Sequence, residues 1–322
     1  MIWDYTVFAA GVPDGTVLTA PRIIYVSGMK PKPPPDEHSE ALRRCLCAGL
    51  SRYRPTWADY LDRNPEQFTL VSWTFDFYGA YRDMALDRRG IEALLARPDP
   101  TPEEIREIDS LARRLKRLWH LFGDSLPLLS RVFARPDLRV TLGEVRRYLH
   151  EDEVGRAVRA PLKDALVRAW GASEPVLLIG HSLGSVIAYD SLWELSREER
   201  VNGTIDWLVT LGSPLATRFV RKAIKGVAQT GPQRYPDNIR RWLNCSAHGE
   251  MTALHPRLQP FFGGIVKLGL CEALIDRADI YNHFQADFGI NVHKSYGYLA
   301  HESVAHVVAD WLTESLGAPP KA

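Results

Sequence analysis

The amino-acid sequence predicts an α/β fold in which a mainly parallel sheet is covered by helices on both faces. Short apolar runs bounded by turn residues alternate along the chain with longer segments of helical periodicity. This alternation favours a parallel sheet, because parallel strands need crossover segments to bring the chain back to the same edge. At 322 residues the chain is long enough to bury such a core without disulfide bonds.

The first quarter of the chain predicts strands and one long helix. Gly28 and the proline-rich sequence KPKPPP that begins at Lys30 interrupt the strand pattern, and a helix is expected from about Asp36 to Tyr53. Four segments have the apolar and β-branched composition of strands: Tyr5–Ala9, Thr16–Thr19, Arg22–Ser27 and Thr69–Phe75.

The middle of the chain, residues 76–171, is predicted to be almost wholly helical. Thr101 precedes Pro102, Glu103 and Glu104, which gives a capping hydroxyl, a first-turn proline and two acids at the positive end of a helix. We interpret residues 1–322 as a single catalytic domain and residues 76–171 as a helical, cap-like insertion within it.

The last part of the chain returns to the sheet pattern and ends in a helix. Apolar runs at Val176–Ile179, Ile205–Leu211 and Ile239–Cys245 predict three strands, and a helix is expected to begin near Ser182. A closing helix from about Glu302 to Leu316 places its apolar residues on one face.

Composition excludes several classes of function. The 40 basic and 39 acidic residues nearly cancel, which argues against a nucleic-acid-binding surface. No run approaches the roughly 18 apolar residues of a membrane span. Transient contact with a lipid surface remains compatible with the sequence. Asp4 stands where a signal peptide carries positive charge, and the four cysteines show no metal-binding spacing. A cytoplasmic location with free thiols is the expectation.

The segment that most strongly predicts a reactive residue is PVLLIGHSLGSVIAYD, residues 175–190. It predicts a buried strand, then Gly180-His181-Ser182-Leu183-Gly184, then a helix, which is the context that a nucleophile elbow requires. The glycines two before and two after Ser182 leave room for a sharp turn. The turn places the serine at a helix N-terminus, where unpaired N–H groups favour developing negative charge.

This segment resembles the elbow of lipases and esterases of the α/β-hydrolase superfamily, and the likeness in element order extends from about Arg22 to Leu316. The sequence TLGSPL at residues 210–215 is also similar to a lipase segment. The resemblance implies a serine hydrolase fold with a mainly parallel sheet. The helical insertion lies before the elbow strand, whereas caps in this family more commonly follow the strand after the elbow helix.

A serine nucleophile needs a base and the base needs an orienting acid, and in this family they follow in the order Ser, acid, His. The base is expected on a loop before the final helix. His293, in INVHKSYGYL, fits that place and resembles the family histidine that is followed by an aromatic residue. His301 is its nearest rival, and His306 is expected to pack within the final helix.

Glu250 is the favoured acid. It follows the strand that begins at Ile239, so it lies at the carboxyl end of the sheet, where catalytic groups gather. Asp206 and Asp237 precede their strands and lie at the wrong end. Asp279 and Asp287 remain as alternatives. The family more often has aspartate in this role.

Two backbone N–H groups are expected to form an oxyanion hole, that of Leu183 and that of Met29 in the loop after the first clear strand. Gly28, His181, Trp73 and Phe75 are predicted to face the substrate.

The sequence thus predicts a serine hydrolase of a small carboxylic ester with an apolar or acyl part, with a Ser182–His293–Glu250 triad and no cofactor. A thioesterase, acyltransferase or peptidase with the same triad, or a non-catalytic binding protein of the same fold, remains open.

Overall fold

A computed structural model of the chain describes residues 19–111, 136–250 and 255–317. The predicted edge strand Tyr5–Ala9, and all but the last residue of Thr16–Thr19, therefore lie outside the described residues. The same holds for residues 112–135 of the predicted insertion.

Within the described residues, six parallel strands form one sheet in the order β2-β1-β3-β4-β5-β6. A two-stranded antiparallel hairpin, β7 with β8, lies outside it. The strands are β1 Arg22–Val26, β2 Phe68–Val71, β3 Val176–His181, β4 Ile205–Leu211, β5 Ile239–Ala247, β6 Ala273–Ile280, β7 Gln285–Ala286 and β8 Gly289–Ile290.

Helices occupy most of the chain between these strands. Residues 102–111 are also helical. The helices with defined ends are α1 Pro35–Tyr53, α2 Pro55–Arg63, α3 Thr74–Tyr78, α4 Ala85–Ala96, α5 Pro136–His150, α6 Asp152–Gly171, α7 Leu183–Trp193, α8 Arg218–Arg221, α9 Gln259–Phe262, α10 Gly264–Lys267, α11 Ser295–Leu299 and α12 Glu302–Leu316.

The sheet carries one apolar core on each face, as expected for a parallel sheet buried on both sides. Along β3, Leu177 and Ile179 belong to the core beneath α1, α2 and α12, whereas Val176 and Leu178 belong to the core beneath α6 and α7. This alternation confirms the predicted fold class, a parallel sheet flanked by helices as in α/β-hydrolase-like folds.

Most predicted elements form where the sequence places them. The strand Ile205–Leu211 and the helix Glu302–Leu316 have the predicted bounds, and α1 begins one residue before the predicted Asp36. The helix start at Thr101 also forms, because the Thr101 hydroxyl accepts the Glu104 N–H at 3.2 Å and the Glu104 carboxylate accepts the Thr101 N–H at 2.7 Å.

In the six-stranded sheet, β2 and β6 differ most from the sequence predictions, and the short strands β7 and β8 are not predicted either. The strand expected over Thr69–Phe75 ends at Val71, and the chain then turns into α3. A hydrogen bond stabilises this turn: the indole N–H of the buried Trp73 donates to the Ser27 carbonyl at 2.9 Å. Strand β6 has no counterpart in the predictions, because its central residues are polar and partly exposed, as expected for an edge strand.

The described part of residues 76–171 is mostly helical, as predicted, with non-helical connections at residues 79–84 and 97–101. Its last helix, α6, packs against α7 and against β1, β2 and β3, so it covers the sheet as a flanking helix. The rest of the insertion, as a cap over the site, stays a prediction. No helix in the described ranges combines the length and apolarity needed to cross a bilayer.

Leu178 tests the packing on the central strand. Its side chain is fully buried, so Leu178→Ala is expected to lower the free energy of unfolding by about 2–5 kcal/mol through lost contacts and a cavity. Val167→Ala, at an exposed position of α6, is the control and should change it by less than about 0.5 kcal/mol. Urea titration measures both; equal effects would contradict the described packing.

Candidate active site

Ser182 lies at a sharp reversal between β3 and α7. Its backbone has φ 54° and ψ −126°, a conformation that residues with a side chain rarely adopt. The Ser182 N–H donates to the Leu211 carbonyl at the end of β4, at 2.9 Å. The reversal therefore follows directly from the sheet, and it sets the serine at the first turn of α7.

Gly184 is required because α7 approaches β1 closely. A Cβ at this position would lie 2.3 Å from the Val26 carbonyl oxygen and 2.7 Å from the Ser27 carbonyl oxygen. A side chain here would push the helix away from the sheet and open the turn at Ser182. The second glycine of the motif thus serves packing of the helix rather than chemistry.

His293 lies in the loop between β8 and α11 and reaches the serine. Its Nε2 lies 3.0 Å from Ser182 Oγ, within hydrogen-bond distance. The loop is held on both sides of the histidine, because the buried Asn282 side chain donates to the Val292 carbonyl at 2.9 Å and to the Lys294 carbonyl at 2.8 Å. The position of the imidazole is therefore fixed by its backbone.

His181 also holds this loop. Its Nε2 lies 2.7 Å from the His293 carbonyl oxygen, which can only accept, so this nitrogen carries the ring proton. Burial, and after it the neighbouring His293, lowers the pKa of His181 well below its ordinary value. His181 is therefore a neutral donor that ties the end of β3 to the His293 loop.

Glu250 follows β5 and faces the other side of the imidazole. Its Oε2 lies 2.8 Å from His293 Nδ1, and the side chain is almost completely buried. The buried carboxylate favours the tautomer with a proton on Nδ1, which leaves Nε2 free to accept from Ser182. The structure thus brings together Ser182, His293 and Glu250, which the sequence predicts on three separate loops.

Tyr298 holds Glu250 and has no counterpart in the sequence predictions. Its hydroxyl donates to Glu250 Oε2 at 3.0 Å and accepts the Ala247 N–H at 2.9 Å. Burial, and after it the Glu250 carboxylate, raises the pKa of Tyr298 well above its ordinary value, so the hydroxyl stays a donor. Its partners are about fifty residues away in the chain, so no local sequence pattern marks it.

Gly212, after β4, leaves room for the carboxylate and the imidazole. Its φ is 54°, and a Cβ at this position would lie 2.9 Å from Glu250 Oε2 and 3.0 Å from His293 Nδ1. The following Ser213 hydroxyl lies 2.6 Å from the hydroxyl of Ser185, which itself donates to the Ser182 carbonyl at 2.6 Å. The TLGSPL segment therefore stabilises the turn at Ser182 through the hydrogen bonds of Ser213 and Ser185.

The alternative residues lie elsewhere. His301 caps α12, where its Nδ1 accepts the Ser303 N–H at 3.2 Å. His306 packs against the Tyr53 ring, with 3.9 Å between ring centroids. Asp279 and Asp287 are both exposed, on β6 and at the tip of the β7–β8 hairpin.

The two candidate oxyanion donors lie on either side of Ser182. The Leu183 N–H is at the start of α7, and Met29 follows Gly28, where an added Cβ would lie 2.7 Å from Ser182 Cβ. Neither N–H makes a hydrogen bond to another residue that the structure describes. Their service as an oxyanion hole stays a prediction.

The residues predicted to face the substrate have different surroundings. Gly28 and His181 are buried beside Ser182. Trp73 is buried in the core, and Phe75 is exposed and stacks on Tyr81 with 4.4 Å between ring centroids. Contact of any of the four with substrate stays a prediction.

Comparison of the chain with protein-family models, with curated proteins and with solved structures found no match. The case for a function therefore rests on the geometry of this chain.

Gly212→Ala tests whether the glycine at position 212 leaves room for the Glu250 carboxylate and the His293 imidazole. The added methyl group would contact Glu250 and His293 and would adopt a strained φ, so we expect a loss of about 1–3 kcal/mol in unfolding free energy. Histidine nitrogen NMR should also show a change in the His293 Nδ1–H signal. Gly171→Ala, where a Cβ meets nothing within 4 Å, is the control. An unchanged His293 signal in Gly212→Ala would contradict the described geometry.

Proposed function

We propose that this protein is a serine hydrolase that cleaves a carboxylic ester of an apolar or acyl substrate. The proposal is supported by two contacts in series. Ser182 Oγ lies 3.0 Å from His293 Nε2, and His293 Nδ1 lies 2.8 Å from Glu250 Oε2. A serine, an imidazole and a carboxylate in this order are the recurring arrangement of serine hydrolases on unrelated folds.

In the first step, His293 Nε2 takes the proton from Ser182 Oγ as the oxygen attacks the ester carbonyl carbon. The negative charge that develops on the carbonyl oxygen is stabilised by the N–H groups of Leu183 and Met29 and by the N-terminus of α7. When the tetrahedral intermediate collapses, the ester C–O bond breaks and the imidazolium gives its proton to the leaving alcohol. The acyl group is then bound to Ser182.

In the second step, His293 takes a proton from water while the water oxygen attacks the acyl-enzyme. Collapse of the second intermediate releases the carboxylic acid and returns the proton to Ser182. Glu250 keeps its charge throughout, and it stabilises the imidazolium that forms in both steps. These steps use groups of the chain and one water molecule.

The surroundings of the carboxylate support this role. A buried, isolated carboxylate is costly unless it is hydrogen-bonded, and Glu250 accepts from His293 and Tyr298. A charge held in a site of low polarity acts on the imidazolium more strongly than one in water does. The buried position of Glu250 thus favours proton transfer from the serine.

Ser182→Ala is expected to abolish hydrolysis of 4-nitrophenyl esters of graded chain length. The loss should reach about six orders of magnitude in kcat if the background permits its measurement, whereas Glu250→Gln should cost about two orders less, because it orients the ring without taking the proton. Tm values of both variants control for folding. Ester hydrolysis that survives in well-folded Ser182→Ala would contradict the proposal.

His293→Ala and His301→Ala distinguish the base from its rival. We expect His293→Ala to lose at least about three orders of magnitude in kcat. His301→Ala should keep its rate and lose about 1 kcal/mol of stability, since it removes a helix cap. Steady-state kinetics and thermal unfolding of the two variants are the measurements, and the reverse pattern of rates would assign the base to His301.

A further inference from the structure

Lys32 is a half-buried cation for which the described residues provide no carboxylate partner. It lies in the proline-rich sequence, between Pro31 and Pro33, and its Nζ donates to the Met29 carbonyl at 2.6 Å. Among the described residues, no carboxylate oxygen comes within 4.0 Å of this ammonium group. The carbonyl takes one of its three N–H bonds, which leaves two for another acceptor.

Two further cations near Lys32 share a single carboxylate. Lys294 Nζ lies 2.6 Å from one oxygen of Asp87, and the Arg82 guanidinium contacts the other. Burial raises the pKa of Asp87, but the hydrogen bond from Arg82 and the charge of Lys294 lower it by more, so the net shift is downward and Asp87 is ionised. The Arg82 backbone N–H also donates to the Lys32 carbonyl at 2.9 Å. The cluster of Lys32, Arg82, Lys294 and Asp87 thus carries two excess positive charges when Lys32 is protonated.

The other charged groups around the cluster do not cancel this excess. Asp287, in the turn between β7 and β8, acts on Lys294, but it is exposed, so water and salt screen its charge. Lys30, on the same loop, adds a positive charge, and it pairs with Glu144 of α5 at 3.2 Å. From α1, His38 is buried, and burial followed by the charge of Lys32 lowers the pKa of His38 to about 3, so it is neutral. Burial, followed by the charge of Lys294, lowers the pKa of Lys32 itself to about 7.

This cluster adjoins both loops of the candidate active site. Lys294 follows His293 directly, and Lys32 binds the carbonyl of Met29, whose N–H is the candidate oxyanion donor. Arg82, Lys294 and Lys32 itself are each partly exposed, so the cluster reaches the surface of the protein. Buried charges in proteins are usually paired, and a cation that lacks its partner beside a reactive site indicates that a ligand supplies the charge.

We propose that Lys32, with Arg82 and Lys294, forms a subsite for an anionic oxygen group of the substrate, a carboxylate or a phosphate carried near the ester. This inference rests on the proposed function and narrows its substrate class to esters with a negative charge. It also gives a physical reason for the prolines on both sides of Lys32. Prolines before and after Lys32 restrict its backbone, so less conformational entropy is lost when the ammonium group binds an anion.

Matched ester pairs test the proposal. Mono-4-nitrophenyl adipate is compared with its neutral methyl ester, which places the charge on the acyl side, and 4-acetoxybenzoate is compared with its methyl ester, which places it on the alcohol side. The readout is the ratio of kcat/KM for the anionic and neutral ester of each pair. In the wild type we expect at least one ratio to be about ten or more, since hydrogen bonds to charged groups reach this magnitude.

Lys32→Met should bring that ratio to about one or below, whatever it does to the rate on both esters. Lys30→Met, which removes an exposed neighbouring cation that pairs with Glu144, is the matched control and should retain the preference. Lys32→Arg should rescue it. The wild-type ratio should be largest below about pH 7 and fall as Lys32 loses its proton, whereas Lys32→Arg should hold it to about pH 9.

Calorimetric titration with inorganic phosphate tests the subsite without turnover. Binding to the wild type that is lost in Lys32→Met supports the proposal even if no ester is cleaved, in which case the proposed function fails alone. An equal loss on anionic and neutral esters in Lys32→Met would show that Lys32 only positions the Met29 loop, and would overturn the subsite. Absence of both an anionic preference and phosphate binding in the wild type would also overturn it.

Discussion

The backbone reversal at Ser182 is the constraint on which the rest of the site depends. A residue with a side chain at φ 54° and ψ −126° costs of order 1–3 kcal/mol, so the surrounding structure must enforce it. The enforcing contacts are the burial of β3 on both faces of the sheet and the packing of α7 on one of them. They also include the hydrogen bond from the Ser182 N–H to Leu211 and the approach of Gly184 to the carbonyls of Val26 and Ser27.

The parallel sheet brings the other groups to the same edge. Gly28, Ser182, Gly212 and Glu250 each follow a different strand, and their loops meet because parallel strands all end on one side. Hydrogen bonds from His181, Asn282 and Tyr298 then hold the His293 loop and Glu250. The electrostatic pattern is uneven: His181 is neutral, Glu250 is a buried charge, and the proposed anion subsite leaves positive charge in excess. This is the pattern expected where a negatively charged substrate meets a nucleophile.

The sequence predicts the elements with strong local signals and misses those that tertiary contacts create. GHSLG between an apolar run and a helix predicts the turn at Ser182, and loop position alone favours His293 and Glu250, which the structure brings into contact. Strand β6 has too many polar residues to be recognised from periodicity. Asn282 and Tyr298 act through partners that are distant in sequence, and nothing in their local pattern marks them. The sequence shows Lys32 only as one residue of a proline-rich turn. Which carboxylates lie near its ammonium group is a property of the folded chain, and none of the described residues provides one within 4.0 Å.

Labelling with a fluorophosphonate probe tests the central claim most directly, since such a probe forms a stable bond with a serine that an imidazole activates in place. The site of the adduct is then mapped by mass spectrometry. A single adduct on the peptide that contains Ser182, formed in the wild type and absent after His293→Ala, is the result that the described geometry predicts. A well-folded protein that stays unlabelled at Ser182, or is labelled at another serine instead, would contradict it.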